Sequence, residues 1–140
     1  MKEKGFTLME LLAVLVILGI ILGITLPKVT QTLERANQDT LKENAESLLS
    51  VVKKTYLDYA GSELYFDVES PILMIDGVSQ GELDYNGSLP KKGWVKVGGN
   101  GVPCIAVSDG TYCAYKVDEV EPIIVEEMDP EECIAKVCQN

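Results

Sequence analysis

The chain has 140 residues, with 22 acidic against 12 basic side chains, no histidine and a formal net charge of −10 at pH 7. That balance argues against a basic footprint for nucleic acid, since only Lys91, Lys92 and Lys96 cluster. The lack of histidine also removes the commonest general base and metal ligand. Much of the 46% hydrophobic content precedes Pro27, which is the composition of one small domain behind an apolar segment.

Residues 2–27 read KEKGFTLMELLAVLVILGIILGITLP: a short basic leader, then Gly5 and Phe6, then an apolar run interrupted by one carboxylate, Glu10. The run from Phe6 to Leu26 has the ~20-residue length that spans a bilayer, and the positive-inside rule keeps Lys2 and Lys4 cytoplasmic. A carboxylate held in hydrocarbon costs roughly 2.5–3.5 kcal/mol on insertion scales, so it needs a neutralising partner. No basic residue lies between Lys4 and Lys28. Cutting the chain after Gly5 would supply one, by turning the nitrogen of Phe6 into an ammonium group. The simpler reading of Glu10 is a capping box with Thr7, in T-x-x-E spacing, which leaves the Gly5–Phe6 junction without a role. A secretory signal would put a small-residue cleavage site after the apolar run, where this chain has Pro27-Lys28-Val29. A plain signal anchor competes better.

The pattern K-G-F-T-L-x-E followed by an apolar run and a proline, carried by Gly5, Phe6, Thr7, Leu8, Glu10 and Pro27, resembles the class III signal of type IV prepilins and the related pseudopilins. The resemblance implies that a prepilin peptidase cuts between Gly5 and Phe6 and methylates the new amine. It implies that Glu10 pairs with the Phe6 amine of a neighbouring subunit as filaments assemble. The implied product is a structural subunit of a type IV pilus serving adhesion, motility or DNA uptake, with a type II secretion pseudopilin or a membrane-tethered binding module that never polymerises as the alternatives. Implied partners are other copies of the chain, the peptidase, an assembly ATPase acting through a membrane platform protein, and minor pilins, with no cofactor. The precursor would sit in the cytoplasmic membrane and the mature subunit in an extracellular filament. No direct contact with nucleic acid is expected of this subunit.

After the apolar run, Leu33, Ala36, Leu41, Ala45, Leu48, Leu49, Val52, Tyr56 and Leu57 recur at helical spacing between charged residues. No glycine or proline interrupts 28–60. The pattern predicts one helix from about Phe6 to Ala60, stopped at Gly61-Ser62. Its first half, 6–27, would form the membrane or filament-core segment, and its second half, 28–60, would lay an apolar stripe on a sheet. Within the first half, Gly19 and Gly23 form a G-x-x-x-G pair that lets helices approach. Pro27 removes a hydrogen bond and crowds the carbonyl of Gly23. Gly19 to Pro27 is thus a stretch of poor helix propensity, and the resemblance implies that it unwinds in filaments.

The remaining 61–140 would form a globular head. Glu63 to Pro90, with turn signals at Asp76-Gly77, Gly81 and Asn86-Gly87, reads as a loop holding one short strand or helix. Strands are predicted at Trp94–Val97, Cys104–Val107, Thr111–Val117 and Ile123–Val125. The class is therefore α+β, a long N-terminal helix packed on a small antiparallel sheet of three or four strands, which is the pilin fold that the resemblance implies.

Four cysteines, Cys104, Cys113, Cys133 and Cys138, lie near the C-terminus. An even count in a short exported domain favours two disulfides; the spacing fits zinc poorly, with no C-x-x-C and no histidine. A hairpin turning at Ser108-Asp109-Gly110 puts Cys104 opposite Cys113 and leaves Cys133 to Cys138, although the two other pairings stay open. The tail acids from Asp118 to Glu132 lack an EF-hand order and read as a solvated face rather than a calcium site. With no phosphate loop and no nucleophile beside a base, the chain is expected not to be an enzyme, and no metal ligand set is assigned.

Overall fold

The computed structural model describes residues 5–59 and 61–138. Lys2, Lys4 and the predicted helix end at Ala60 lie outside the described residues. The chain divides into two compact units at Ala36/Asn37. Helix α1 (Leu8–Asp58) supplies the first unit and continues into the second. It stays helical through Gly19, Gly23 and Pro27. Around this proline, Thr25 Oγ1 donates to the Ile21 carbonyl at 2.9 Å, Thr30 Oγ1 to Leu26 at 3.2 Å and Thr32 Oγ1 to Lys28 at 2.9 Å. These bonds engage the threonine hydroxyls with the helix's own backbone.

The second unit is built on seven antiparallel strands: β1 (Leu64–Asp67), β2 (Ile72–Ile75), β3 (Val78–Glu82), β4 (Lys92–Val97), β5 (Pro103–Ser108), β6 (Tyr112–Lys116) and β7 (Ile124–Glu127). Their spatial order is β3-β2-β1-β4-β5-β6-β7. The sheet is larger than the three or four strands expected, because 63–90 contributes a hairpin and a half rather than a loop. Leu64 and Phe66 are fully buried and alternate with Tyr65 and Asp67, a strand pattern too short to stand out before β4 is there to pair with it. Asp76 and Gly77, at φ 48° and 77°, close a two-residue turn between paired Ile75 and Val78.

One face of the sheet meets the C-terminal half of α1. Leu41, Ala45, Leu48 and Val52 pack with Leu64, Phe66, Val95, Val97, Ile105, Val107 and Ala114. The predicted stripe is correct over this span, with Leu49 and Tyr56 at its margin. Leu57 stays 70% exposed, one residue before α1 ends. Gly93 is required by this packing: at φ 137° a Cβ would come within 2.2 Å of the Ala106 carbonyl oxygen across the strand pair.

The opposite face is covered by a strap that the sequence reading missed, the short helix α2 (Pro130–Ile134) with the residues after it. Asp129 caps α2 by accepting from the Glu131 amide at 2.9 Å, with Pro130 at the first helical position. Cys133 packs with Ala106 and Cys113, flanked by Trp94, Tyr115 and Met128. Trp94 Nε1 donates to the Ile134 carbonyl at 3.0 Å. Lys92 Nζ lies 2.9 Å from Glu131, and that hydrogen bond and charge hold the ammonium pKa above its ordinary value. On the lysine side the tie is therefore present at neutral pH and is lost as alkaline pH deprotonates Lys92.

The disulfides follow this strap and not the hairpin. They join Cys104 to Cys138 and Cys113 to Cys133, at Cα separations of 5.9 and 5.6 Å. The preferred pairing of Cys104 with Cys113 and of Cys133 with Cys138 is corrected, and the reason is register. Asp109 Oδ1 accepts from the amides of Thr111 and Tyr112 at 2.8 Å each, and Ser108 Oγ accepts from Gly110 N at 3.1 Å and donates to the Tyr112 carbonyl at 2.9 Å. The turn therefore forms after Ser108, which pairs with Cys113. Cys104 is carried further down β5, where its sulfur is 3.5 Å from the Val117 carbonyl.

Cleavage at Asp109, Lys116 and Lys136 separates all four cysteines, so non-reducing mass spectrometry should find 104 linked to 138 and 113 to 133. A 104–113 link would refute the strap. Replacing Cys113 and Cys133 by alanine should lower stability to urea by about 3 kcal/mol, the value for a loop of this order.

Candidate assembly site at the N-terminal helix

The residues singled out in the first unit share one property. All side chains from Gly5 to Asn37 are exposed. Every large apolar side chain from Phe6 to Val29 is between 43% and 84% exposed. By length and composition α1 is able to cross a membrane. Glu10 is the single charged residue between Gly5 and Lys28.

Glu10 turns back to the helix start. Its Oε2 accepts from the Thr7 amide and from Thr7 Oγ1, each at 3.5 Å, while the Glu10 amide donates to Thr7 Oγ1 at 3.3 Å. This is the reciprocal arrangement of a capping box, at long distances. It answers the amides that a helix start leaves unpaired and places the carboxylate in the turn that follows Phe6. The geometry thus realises the simpler reading of Glu10 while keeping the acid beside the junction where a cut would create an amine.

Gly5 and Phe6 precede α1, and Phe6 is 74% exposed. At Gly19 and Gly23 an added Cβ would meet nothing within 4 Å. Nothing among the described residues therefore demands glycine at either position, and the gap they leave is open.

In the second unit the acids of the tail are dispersed among local tasks. Asp118 Oδ1 accepts from the Val120 and Glu121 amides at 3.0 and 2.8 Å, while Lys116 Nζ donates to the carbonyls of Glu119 and Glu121. Asp129 caps α2, and Glu131 holds Lys92. Tyr115 and Tyr65 have pKa values raised first by burial and next by Glu126 and Asp67 respectively. Sequence spacing gave no sign that Tyr65, Trp94, Tyr115 and the strap would share one face, because that requires the register of β1, β4, β5 and β6 together.

The family described as the prokaryotic N-terminal methylation motif matches residues 1–26. The ComG operon protein 3 homolog of Bacillus licheniformis is 33% identical over 91 residues, 65% of this chain and 79% of that protein. Competence protein ComGC of Bacillus subtilis is 49% identical over 53 residues, 38% of this chain and 50% of its own length. The type IV narrow pilus major component PilA5 of Thermus thermophilus is 38% identical over 56 residues, 40% of this chain and 45% of its own. The chain thus spans about half the length of the last two. No solved structure matches it. With the methylation motif at its start, the long apolar helix and the antiparallel sheet, the chain belongs to the type IV pilin-like family, whose members are structural subunits.

Proposed function

We propose that the chain is made as a precursor, cut after Gly5, methylated on the Phe6 nitrogen and polymerised through the first half of α1 into a type IV filament. The observation that carries this reading is the exposed apolar surface from Phe6 to Val29 with one acid at its start. A bilayer covers such a surface before assembly, and the same surface of neighbouring helices covers it afterwards. Glu10 exchanges its contacts with Thr7 for the Phe6 ammonium of a neighbour, a charge-assisted bond about twice as strong as a neutral one. Gly19 and Gly23 let helices approach, and Gly19 to Pro27 is the stretch that yields if packing requires it. The partners in this reading are further copies of the chain, the peptidase, an assembly ATPase with its platform protein, and minor pilins. The names of two relatives refer to competence or the ComG operon, so the role most favoured is in a competence filament, with DNA uptake as its purpose.

Intact mass of protein sheared from the surface of its native host tests this. The expected chain starts at Phe6 and carries one added methyl group. A full-length, membrane-retained monomer would favour a tethered module instead. Gly5→Leu should leave the precursor uncut, and mature-length protein from that variant would move the cleavage site. Glu10→Ala should still be cut but should reduce sheared filaments at least about tenfold, the effect of losing ~1.4 kcal/mol per contact; normal filament yield would overturn the pairing.

A further inference from the structure

At four places an aspartate or asparagine precedes a glycine: Asp76-Gly77, Asn86-Gly87, Asn100-Gly101 and Asp109-Gly110. We propose that Asn86 is a site of self-modification, where the Gly87 backbone nitrogen closes a succinimide ring on the side-chain amide and water opens it to an aspartyl or isoaspartyl residue. Only the second unit is involved, whether or not the chain polymerises.

The chemistry needs no partner but water and hydroxide. The Gly87 nitrogen gives its proton to hydroxide and attacks Asn86 Cγ. The new C–N bond closes the ring as the Cγ–Nδ2 bond breaks, and the side-chain nitrogen takes a proton from water and leaves as ammonia. Water then adds to one of the two ring carbonyls. Opening at Cγ breaks the bond just made and leaves aspartate in an ordinary main chain. Opening at the Asn86 main-chain carbonyl frees that carbon as the carboxylate and routes the chain through Cγ. Either product carries a carboxylate where there was an amide. The reaction requires that the glycine nitrogen be free to lose its proton and that the side chain be free to turn toward it.

Three of the four pairs are held against this. Asp76 donates its amide to the Glu63 carbonyl at 2.9 Å and accepts the Glu63 amide on Oδ1 at 2.8 Å. Asp109 Oδ1 accepts from the Thr111 and Tyr112 amides, and the Gly110 nitrogen donates to Ser108 Oγ at 3.1 Å. Asn100 Oδ1 accepts from the Val102 amide at 3.1 Å, while the Gly101 nitrogen donates to the Gly98 carbonyl at 2.8 Å. Side-chain bonds of this kind are how such residues fix turns. Asn86 and Gly87 are both exposed, and among the described residues neither takes part in a hydrogen bond. Gly77, Gly101 and Gly110 stand at φ 77°, 80° and 107°, whereas Gly87 is outside the left-handed region. The turn signal at Asn86-Gly87 is thus left unused by the fold.

The surrounding segment is tied at its ends only. Leu83 and Tyr85 pack on the core, Pro90 is buried and the Lys91 amide donates to the Ser108 carbonyl at 2.9 Å, with residues 86–89 exposed between them. The extra main-chain atom of an isoaspartyl linkage falls where no strand pairing is lost. Glycine is kept at 87 by its neighbour, since a Cβ would come within 2.7 Å of the Tyr85 hydroxyl. The missing side chain also leaves the approach of the nitrogen to Cγ uncrowded. A permanent negative charge therefore accumulates between β3 and β4 as the subunit ages.

The full chain in detergent micelles, held at mildly alkaline pH and afterwards reduced and cut after lysine, yields a peptide ending at Lys91 in which Asn86 is the sole asparagine. Another, from Val97 to Lys116, holds only Asn100. The mass gain of an amide becoming an acid should appear at Asn86 at least about tenfold faster than at Asn100, which is what one hydrogen bond of ordinary net strength withholds. The rate should rise in proportion to hydroxide, aspartyl and isoaspartyl peptides should both form, and circular dichroism should stay unchanged. In urea, with the disulfides reduced beforehand, the two rates should converge. Equal rates in the folded chain, or no conversion at Asn86, would overturn the proposal. Aspartate as the sole product would replace ring closure by direct hydrolysis, and a difference that persists in urea would assign the selectivity to sequence and not to the fold; either refutes it too.

Discussion

The first half of α1 keeps its apolar side chains in contact with whatever surrounds the chain, and the rest of the design depends on that. Burying one large aliphatic side chain is worth about 1.5–3 kcal/mol. A whole domain is stable by only about 5–15 kcal/mol. Covering a helix face of this size is therefore worth more than the whole stability of the domain behind it, and drives insertion or association. Lipid or other helices must cover it, and both solutions require every side to be apolar, which is what the residues from Phe6 to Val29 supply. Such a segment has no amphipathic preference to fix its rotation, and its few departures from uniformity are Glu10, Gly19, Gly23 and Pro27.

The second unit must be stable without help from that surface. It has a small core, and a domain of this size gains little from burial alone. The chain answers by using both faces of one sheet. The buried residues of α1 close one side, and a few residues of α2 with two disulfides close the other. The second face has little apolar area to hold a five-residue helix, so covalent links do what packing does on the first. This division also explains where the cysteines fall: Cys104 and Cys113 point to the face that lacks a long helix, and Cys133 and Cys138 come from the strap that covers it.

Legibility in the sequence followed the range of the interactions. The span of α1 was readable because helical periodicity is local, and the turn at Asp76-Gly77 was readable for the same reason. The motif around Gly5 and Glu10 was readable because its chemistry is contained in six residues. The strands β1 to β3 were not, since four or five residues with an alternation as brief as Leu64 to Asp67 become strands only when a partner accepts their hydrogen bonds. The disulfides were misassigned because connectivity depended on where one turn begins. Asp109 and Ser108 both favour a turn after Ser108, and a shift of register there moves Cys104 away from Cys113. The aromatic face with its strap was invisible in chain order because it draws on residues from Tyr65 to Ile134.

Glu10 brings the two levels together. The capping contacts to Thr7 and the proposed pairing with a neighbour's amine compete for the same carboxylate, and their strengths order them. Contacts of 3.3–3.5 Å between Glu10 and Thr7 are weak by geometry, yet in hydrocarbon they spare the acid from having no partner at all. A lone subunit can therefore carry the charge within a membrane at reduced cost. In the proposed pairing, an ammonium from another subunit would offer a shorter, charge-assisted bond and displace them. The cap makes the acid tolerable in a lone subunit while leaving its carboxylate weakly held, which are the two conditions that the proposed pairing sets.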